Sequence, residues 1–306
     1  MPLWQSLADE LMGMIGQLSA GDVVHGTSLW ALAGRRLFGN RMTVGCSVVL
    51  ATLVLASALA PWLAPYPYQQ IDLKLGATAP SRAHWMGTDI LGRDVLSRCL
   101  YGGQISIAVG FVGTLVSLFV GVLYGALAGY VGGRVDELMM RFVDFLYSLP
   151  YLFLVIILLV FFSNSILMLF VALGMVQWLT MARIVRGQVM SLKNAEFVQA
   201  ARISGTRPAA LLYRHLLPNI LGPVIVYGTL TVPSVILQEA FLSFLGLGIQ
   251  APRSSWGTLI SDGATVMGLF PWLVFFPSIL LAAALFSLNF IGDGLRDAFD
   301  PRLNLD

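Results

Sequence analysis

Residues able to do chemistry are few in this chain, and they are scattered. The three histidines, His25, His84 and His215, lie in separate segments, and no His-Glu-x-x-His occurs. Cys46 and Cys99 are far apart in the pattern of apolar runs, so they read as packing residues, and no set of ligands for a metal is present. Neither lysine, Lys74 or Lys193, follows a glycine, so the Gly-rich loop that cradles phosphates in P-loop ATPases is missing. A membrane enzyme would need a nucleophile, base or metal constellation, for which His84 with Asp89 and Asp94 is the one weak candidate. Glu239 is the one acid inside an apolar run. An ionised carboxylate there costs at least a few kcal/mol, so it should face a wet cavity or a partner. It either lines a path through the protein or bonds a helix terminus at a subunit interface. Ser243 one turn on and Trp256 in the next polar stretch complete this candidate path or gate.

Three polar clusters stand outside the apolar runs. Asp89, Arg93, Asp94 and Arg98 have helical spacings, and a helical turn there would pair Asp94 with Arg98, fixing the entry of the next apolar run rather than touching a substrate. Asp136, Arg141 and Asp144 admit the same structural reading, or a contact with a partner. The richest stretch is 196–219. Glu196 to Ser204 reads as a short helix whose Ala200 and Ala201 allow close docking, with Gly205 as its stop. Thr206 would cap a second helix carrying Pro208 in its first turn, and Pro218 would redirect the chain into the next apolar run.

These clusters must be positioned by a scaffold that belongs in lipid. Of 306 residues 57% are hydrophobic and 11% charged, against roughly a quarter charged in soluble domains. Mean hydropathy is +0.81. Basic and acidic residues nearly cancel, 18 against 16, so no global field recruits nucleic acid. Apolar windows at about 43–60, 104–130, 145–162, 166–182, 220–245 and 272–291 predict six transmembrane helices, the third and fourth joined by a tight turn at Ser163-Asn164-Ser165. With both termini inside, 13 of the 18 basic residues fall on the cytoplasmic side, six of them within 183–218. Gly113, Ser117, Gly121, Gly125, Gly129 and Gly133 form a ridge of small residues along the second span, suited to close helix packing.

Around the spans, Leu3, Leu7, Leu11, Ile15 and Leu18 predict an amphipathic first helix, and Ser28 would cap a second, carrying Trp30 and Phe38 into Arg35, Arg36 and Arg41. The segment 246–271, with Pro252, Trp256, Gly257 and Pro271, reads as a re-entrant or lid-like loop whose tryptophan either gates or anchors. Asp293 to Asp300 would place acids after the last span, against the dipole preference. The divisions are thus 1–41 (amphipathic segment), 42–103 (first span and the segment beyond it), 104–292 (core with the loop 183–218) and 293–306 (tail). No inverted repeat is evident, which argues against a secondary transporter.

The loop carries a resemblance. Gln199-Ala200-Ala201, three residues, Gly205, nine residues, then His215-Leu216-Leu217-Pro218 is similar to the EAA loop of membrane subunits of binding-protein-dependent ABC importers, with Gln199 for the usual Glu and His215 for the usual Ile. The segments His84 to Arg98, Arg134 to Pro150, Glu239 to Gly248, Ser255-Trp-Gly257 and Gly292 to Pro301 resemble the peptide-importing branch. The run Ala182 to Gln188 and the C-terminal third are most like its oligopeptide C-type permeases. Dipeptide, nickel or peptide-like antibiotic importers are the alternative, and a secondary transporter or channel ranks lower.

The resemblance implies an all-α, polytopic type I ABC importer permease fold with six spans in a bacterial inner membrane. Glu196, Gln199, Ala200, Ala201, Arg202, Gly205, His215 and Pro218 would form the contact with an ATPase subunit, the first helix inserting into its cleft. Gly121, Gly125, Gly129, Asp94, Arg98 and Asp144 are expected to be structural. This chain would be no enzyme and hold no cofactor, with ATP and Mg carried by partner ATPase subunits. Its partners would be a second, B-type permease, two ABC ATPases, a periplasmic or lipid-anchored peptide-binding protein and membrane lipid.

Overall fold

The computed structural model describes residues 29–162 and 166–299. The helix expected near the N-terminus, the Ser28 cap, the turn at Ser163 to Ser165 and residues 300–306 lie outside them. The described residues are helical apart from turns and one isolated bridge between Thr88 and Asp94.

The helices are α1 (Leu29–Gly39), α2 (Arg41–Ala58), α3 (Ala60–Leu63), α4 (Val95–Val131), α5 (Gly133–Ser148) and α6 (Tyr151–Phe162). They are followed by α7 (Ile166–Leu192), α8 (Glu196–Ile203), α9 (Pro208–Phe244), α10 (Trp256–Ala264) and α11 (Trp272–Phe299). Five, namely α2, α4, α7, α9 and α11, are long and apolar enough to cross a bilayer, and the pair α5 and α6, bent by 91°, supplies a broken sixth.

The window at 145–162 is therefore not a single span. Pro150 offers no N–H and forces the preceding residue out of helical geometry, and Leu149 sits at φ −78°, ψ 134°. What remains, α6, is 12 residues long. At 1.5 Å per residue it rises about 18 Å, short of the roughly 30 Å hydrocarbon layer. The chain before the break is the amphipathic α5, whose Val143 is buried and whose Leu138 and Phe145 are exposed.

Helices α4, α7 and α9 form the centre, joined through Val109, Leu173, Val235 and Leu242. From Gly121 to Gly129 the small-residue ridge of α4 packs against α7 of this same chain, whereas Gly113 meets Val235 of α9 most closely and Gly133, expected in the ridge, lies beyond α4 as the first residue of α5 with nothing packed on it. A methyl built on Gly125 would stand 2.3 Å from the Ala182 carbonyl oxygen, and one on Gly129 would stand 2.8 Å from that of Arg186. From the other side, a methyl on Gly174 would meet the Gly113 carbonyl at 2.6 Å. The helices approach backbone to backbone, as small residues permit where lipid offers no hydrophobic drive. Around this centre α11 packs on α2 and α9, with Gly294 against the Thr43 side chain and Gly292 against Leu230. Asp293 and Asp297 lie within the last turns of α11, not beyond it, because the helix runs to Phe299.

Candidate functional site

At the end of the molecule where α7 meets α9, α8 is held by one apolar side chain. Val198 is fully buried among Val185, Val189, Leu211, Leu216 and Ile220. The rest of the helix turns outward: Glu196, Phe197, Gln199, Ala200, Arg202 and Ile203 are exposed, and Ile203 is 87% exposed. Its end is a Schellman motif. Gly205 N–H donates to the Arg202 carbonyl and Thr206 N–H to that of Ala201, both at 3.1 Å, with Gly205 at φ +79°. Glycine reaches this left-handed conformation without the strain a Cβ would add. Ala201 and His215 are half-buried beside it, and Pro218 is exposed.

Two expectations for this loop are corrected. Thr206 caps nothing; Arg207 holds the N-cap position without a side-chain bond, and Pro208 opens the helix. Nor does Pro218 redirect the chain, since α9 continues through it. Proline removes a donor and crowds the carbonyl four residues back. A π-helical stretch, Leu211–Leu216, widens the turn just before it, with Leu217 N–H donating five residues back to Leu212. One short helix and the extended foot of α9, rather than two short helices, therefore project from this end.

The same end is braced by ion pairs between α5 and α7. Arg186 grips Asp136 through Nε at 2.5 Å and Nη2 at 2.6 Å, and Arg183 Nη2 donates to Asp144 at 2.7 Å while its guanidinium lies 4.1 Å from the centre of the Tyr147 ring. Among the described residues Arg141 reaches only Glu137, at 3.8 Å, with both groups exposed. Lys193 Nζ donates to the Gly129 carbonyl at 3.0 Å, near the C-terminal end of α4.

At the opposite end, Glu239 is fully buried. Its Oε1 accepts from Ser243 at 2.8 Å and from Ser255 at 2.7 Å, and Ser255 is the N-cap of α10. Both bonds come from this chain, one of them from the terminus of its own helix, whereas Oε2 is buried with no hydrogen-bond partner among the described residues. Ser255 also forms a capping box with Thr258. Trp256 is buried to 1% exposure, its Nε1 donating to the Cys99 carbonyl at 3.0 Å and its backbone N–H to Ser106 at 3.0 Å. The re-entrant segment is thus clamped to α4 by its tryptophan.

Beside it lies the cluster expected to pair Asp94 with Arg98. Asp94 instead precedes α4 as its N-cap, so the two are not neighbours on a helix face. Asp94 accepts from Ser97 N–H and Oγ, both at 2.8 Å, and meets His84 Nδ1 at 2.9 Å. Arg98 is buried and donates to Asp89 at 2.6 Å, reaching Asp262 of α10 at 3.7 Å; Arg93 Nε shares the same Asp89 oxygen at 2.7 Å. Cys46 and Cys99 are both buried and unpaired with each other.

Comparison with known proteins decides the family. Residues 121–305 match the model of the binding-protein-dependent transport system inner membrane component, and residues 28–80 that of the N-terminal transmembrane domain of oligopeptide transport permease C. This chain belongs to that family of importer permeases. The permease is 52% identical to the oligopeptide transport system permease protein OppC of Escherichia coli K12 over 91% of its length and 93% of the relative's. The Haemophilus influenzae OppC is 49% identical over 91% and 90%, and a Bacillus subtilis dipeptide permease, DppC, 44% identical over 89% and 85%. A chain of the MetNI methionine ABC transporter, in an inward-facing conformation, shares the fold with a TM-score of 0.54 at 18% identity, covering 64% of this permease and 94% of that chain.

Within the permease, the residues named from sequence fall into two separate groups, at the two ends of α9. Several contributors were missed. Ser255 is signalled by the Ser-x-x-Thr spacing that precedes α10. Arg183 and Arg186 sit one turn apart on α7, but nothing local indicates their partners, 39 and 50 residues away.

Proposed function

We propose that this permease is the C-type membrane subunit of an ATP-driven importer of peptides, with oligopeptides as cargo. The likeness to oligopeptide permeases supports the cargo, and the observation that carries the mechanism is α8, a helix tethered by Val198 with its remaining face open. The exposed Glu196, Gln199, Ala200 and Arg202 would meet an ATPase subunit, with Gly205 ending the contact.

Closure of the ATPases would displace α8. Because Val198 packs on Leu211 and Leu216, that displacement acts directly on the foot of α9, which runs unbroken to the Glu239 end. Two states of the bundle exchanged in this way give alternating access. The partners are a second, B-type permease, two ATPases holding ATP and Mg, and a peptide-binding protein on the α10 side; this chain itself needs no cofactor. The excess of basic residues at the α8 end supports a cytoplasmic position for it and for both termini in a bacterial inner membrane.

Affinity isolation of the chain should recover a second permease and ATPases. The recovered complex, in liposomes, should take up a labelled pentapeptide only with ATP inside and binding protein outside. A homogeneous single chain that transports alone would refute the proposal. The likeness to the dipeptide permease supports a second reading, and competition of pentapeptide uptake by dipeptides separates the two.

A further inference from the structure

We infer a subsite for the substrate's peptide backbone at the break between α5 and α6, an inference that rests on the peptide reading above. A cavity of about 350 Å³ opens there, lined by Tyr147, Ser148 and Tyr151 at the break, Gln177 and Thr180 of α7, and Gln238 of α9. Gln177 lies near the middle of α7, about 16 Å along the axis from its first residue and about 22 Å from its last at 1.5 Å per residue. The cavity therefore lies within the apolar window 166–182, on the side of it nearer Arg183.

Polar groups and irregular backbone at that depth are costly against hydrocarbon and persist where they line water or are buried in protein. Broken helices are a recurrent way to build transport sites. Here Tyr151 Oη donates to Gln238 Oε1 at 2.7 Å, which orients that amide and leaves its NH2 group without a partner among the described residues. Gln177 has no hydrogen-bond partner among the described residues. Tyr147 is fixed by Thr180, to which its hydroxyl is bonded, and by the Arg183 guanidinium stacked on its ring; the charge of Arg183 is in turn taken up by Asp144.

No ionisable acid, lysine, arginine or histidine lines the cavity. Its polar chemistry is thus that of the Gln177 amide, which donates and accepts at once, and of the Gln238 NH2 group, set among apolar side chains such as Leu154 and Val176. A peptide backbone presents one N–H and one C=O per residue whatever its side chains are. Such a lining holds an extended peptide without selecting for side-chain charge.

The test uses the assembled importer with its binding protein in liposomes and two peptides of equal length, with Lys or Glu at one central position. The ratio of their kcat/KM, divided by that of the wild type, cancels both the binding protein's preference and any loss of folded complex. Gln177→Arg should shift this ratio about tenfold against the Lys peptide and Gln177→Glu about tenfold the other way, with Gln177→Asn leaving it unchanged. Unchanged ratios in both charged variants would overturn the subsite.

Gln177→Cys in the assembled complex should react with a hydrophilic methanethiosulfonate, Cys46 and Cys99 being buried. A thiol that stays unreactive in all nucleotide states would mean that the partner permease covers the cavity, which overturns the subsite independently of uptake. A wild-type complex that takes up no peptide would overturn the peptide reading and the subsite with it.

Discussion

Helix α10, nine residues long, is fastened from within the chain at its start: Ser255 caps it and bonds Glu239, and Trp256 is sealed against α4, while the exposed Asp262 stands 3.7 Å from Arg98. Helix α8, eight residues long at the other end of α9, does the reverse, burying Val198 and showing Phe197, Gln199, Arg202 and Ile203. Similar lengths thus serve opposite ends. Where capping and burial close within the chain, a short helix is a fixture; where one apolar residue holds it and its apolar neighbours stay exposed, it offers the kind of surface that marks protein–protein contact.

The contrast is most open to attack at Trp256. Trp256→Ala removes a fully packed side chain and the bond to Cys99, and should cost about 3–5 kcal/mol, read as lost yield and a lowered unfolding temperature of the purified complex. A loss under about 1 kcal/mol would mean that α10 is no fixture.

Gly205→Val tests the other side. A β-branched residue at φ +79° costs about 1–2 kcal/mol locally, but the expected signature is functional: ATP hydrolysis continues while uptake per ATP falls. Coupled transport at the wild-type ratio would remove α8 from the mechanism. The smallest effect is expected from Glu239→Gln. The amide oxygen still accepts from Ser243 and Ser255, so assembly and stability should stay within about 1 kcal/mol of wild type, and a collapse of the complex would show that the charge itself holds α10.

How far the sequence could be read depended on whether the cause was local. Five of the spans, the Gly205 stop and the ridge from Gly121 to Gly129 follow from spacing within one element, and each is found where the spacing puts it. The failures were also informative. Counting apolar residues across Ser148-Leu149-Pro150 hid a 91° bend, although the proline was the signal. Pro218 misled in the opposite direction, because a helix can absorb a proline by widening to a π turn, which depends on the packing of Leu211 and Leu216 rather than on the local sequence. Arg98 was assigned the wrong acid because a helix start one residue later turns Asp94 into a cap. That Glu239 bonds a helix terminus was one of two expectations, but that the terminus belongs to this same chain was not legible, since the bond to Ser255 spans 16 residues and a folded-back loop.

The interlocked glycines of α4 and α7 bear on how such a permease moves. With carbonyls of one helix seated against the bare Cα positions of the other at Gly121, Gly125, Gly129 and Gly174, sliding by even one residue would drive side chains into backbone. The two helices therefore form a shear-resistant plate. Any exchange between inward and outward states must find its compliance elsewhere, at the kink before α6, in the proline-rich length of α9, or where α11 rides on its neighbours. Labels placed on α4 and α7 should keep a constant separation through the transport cycle, and so serve as the fixed frame against which the other helices are measured.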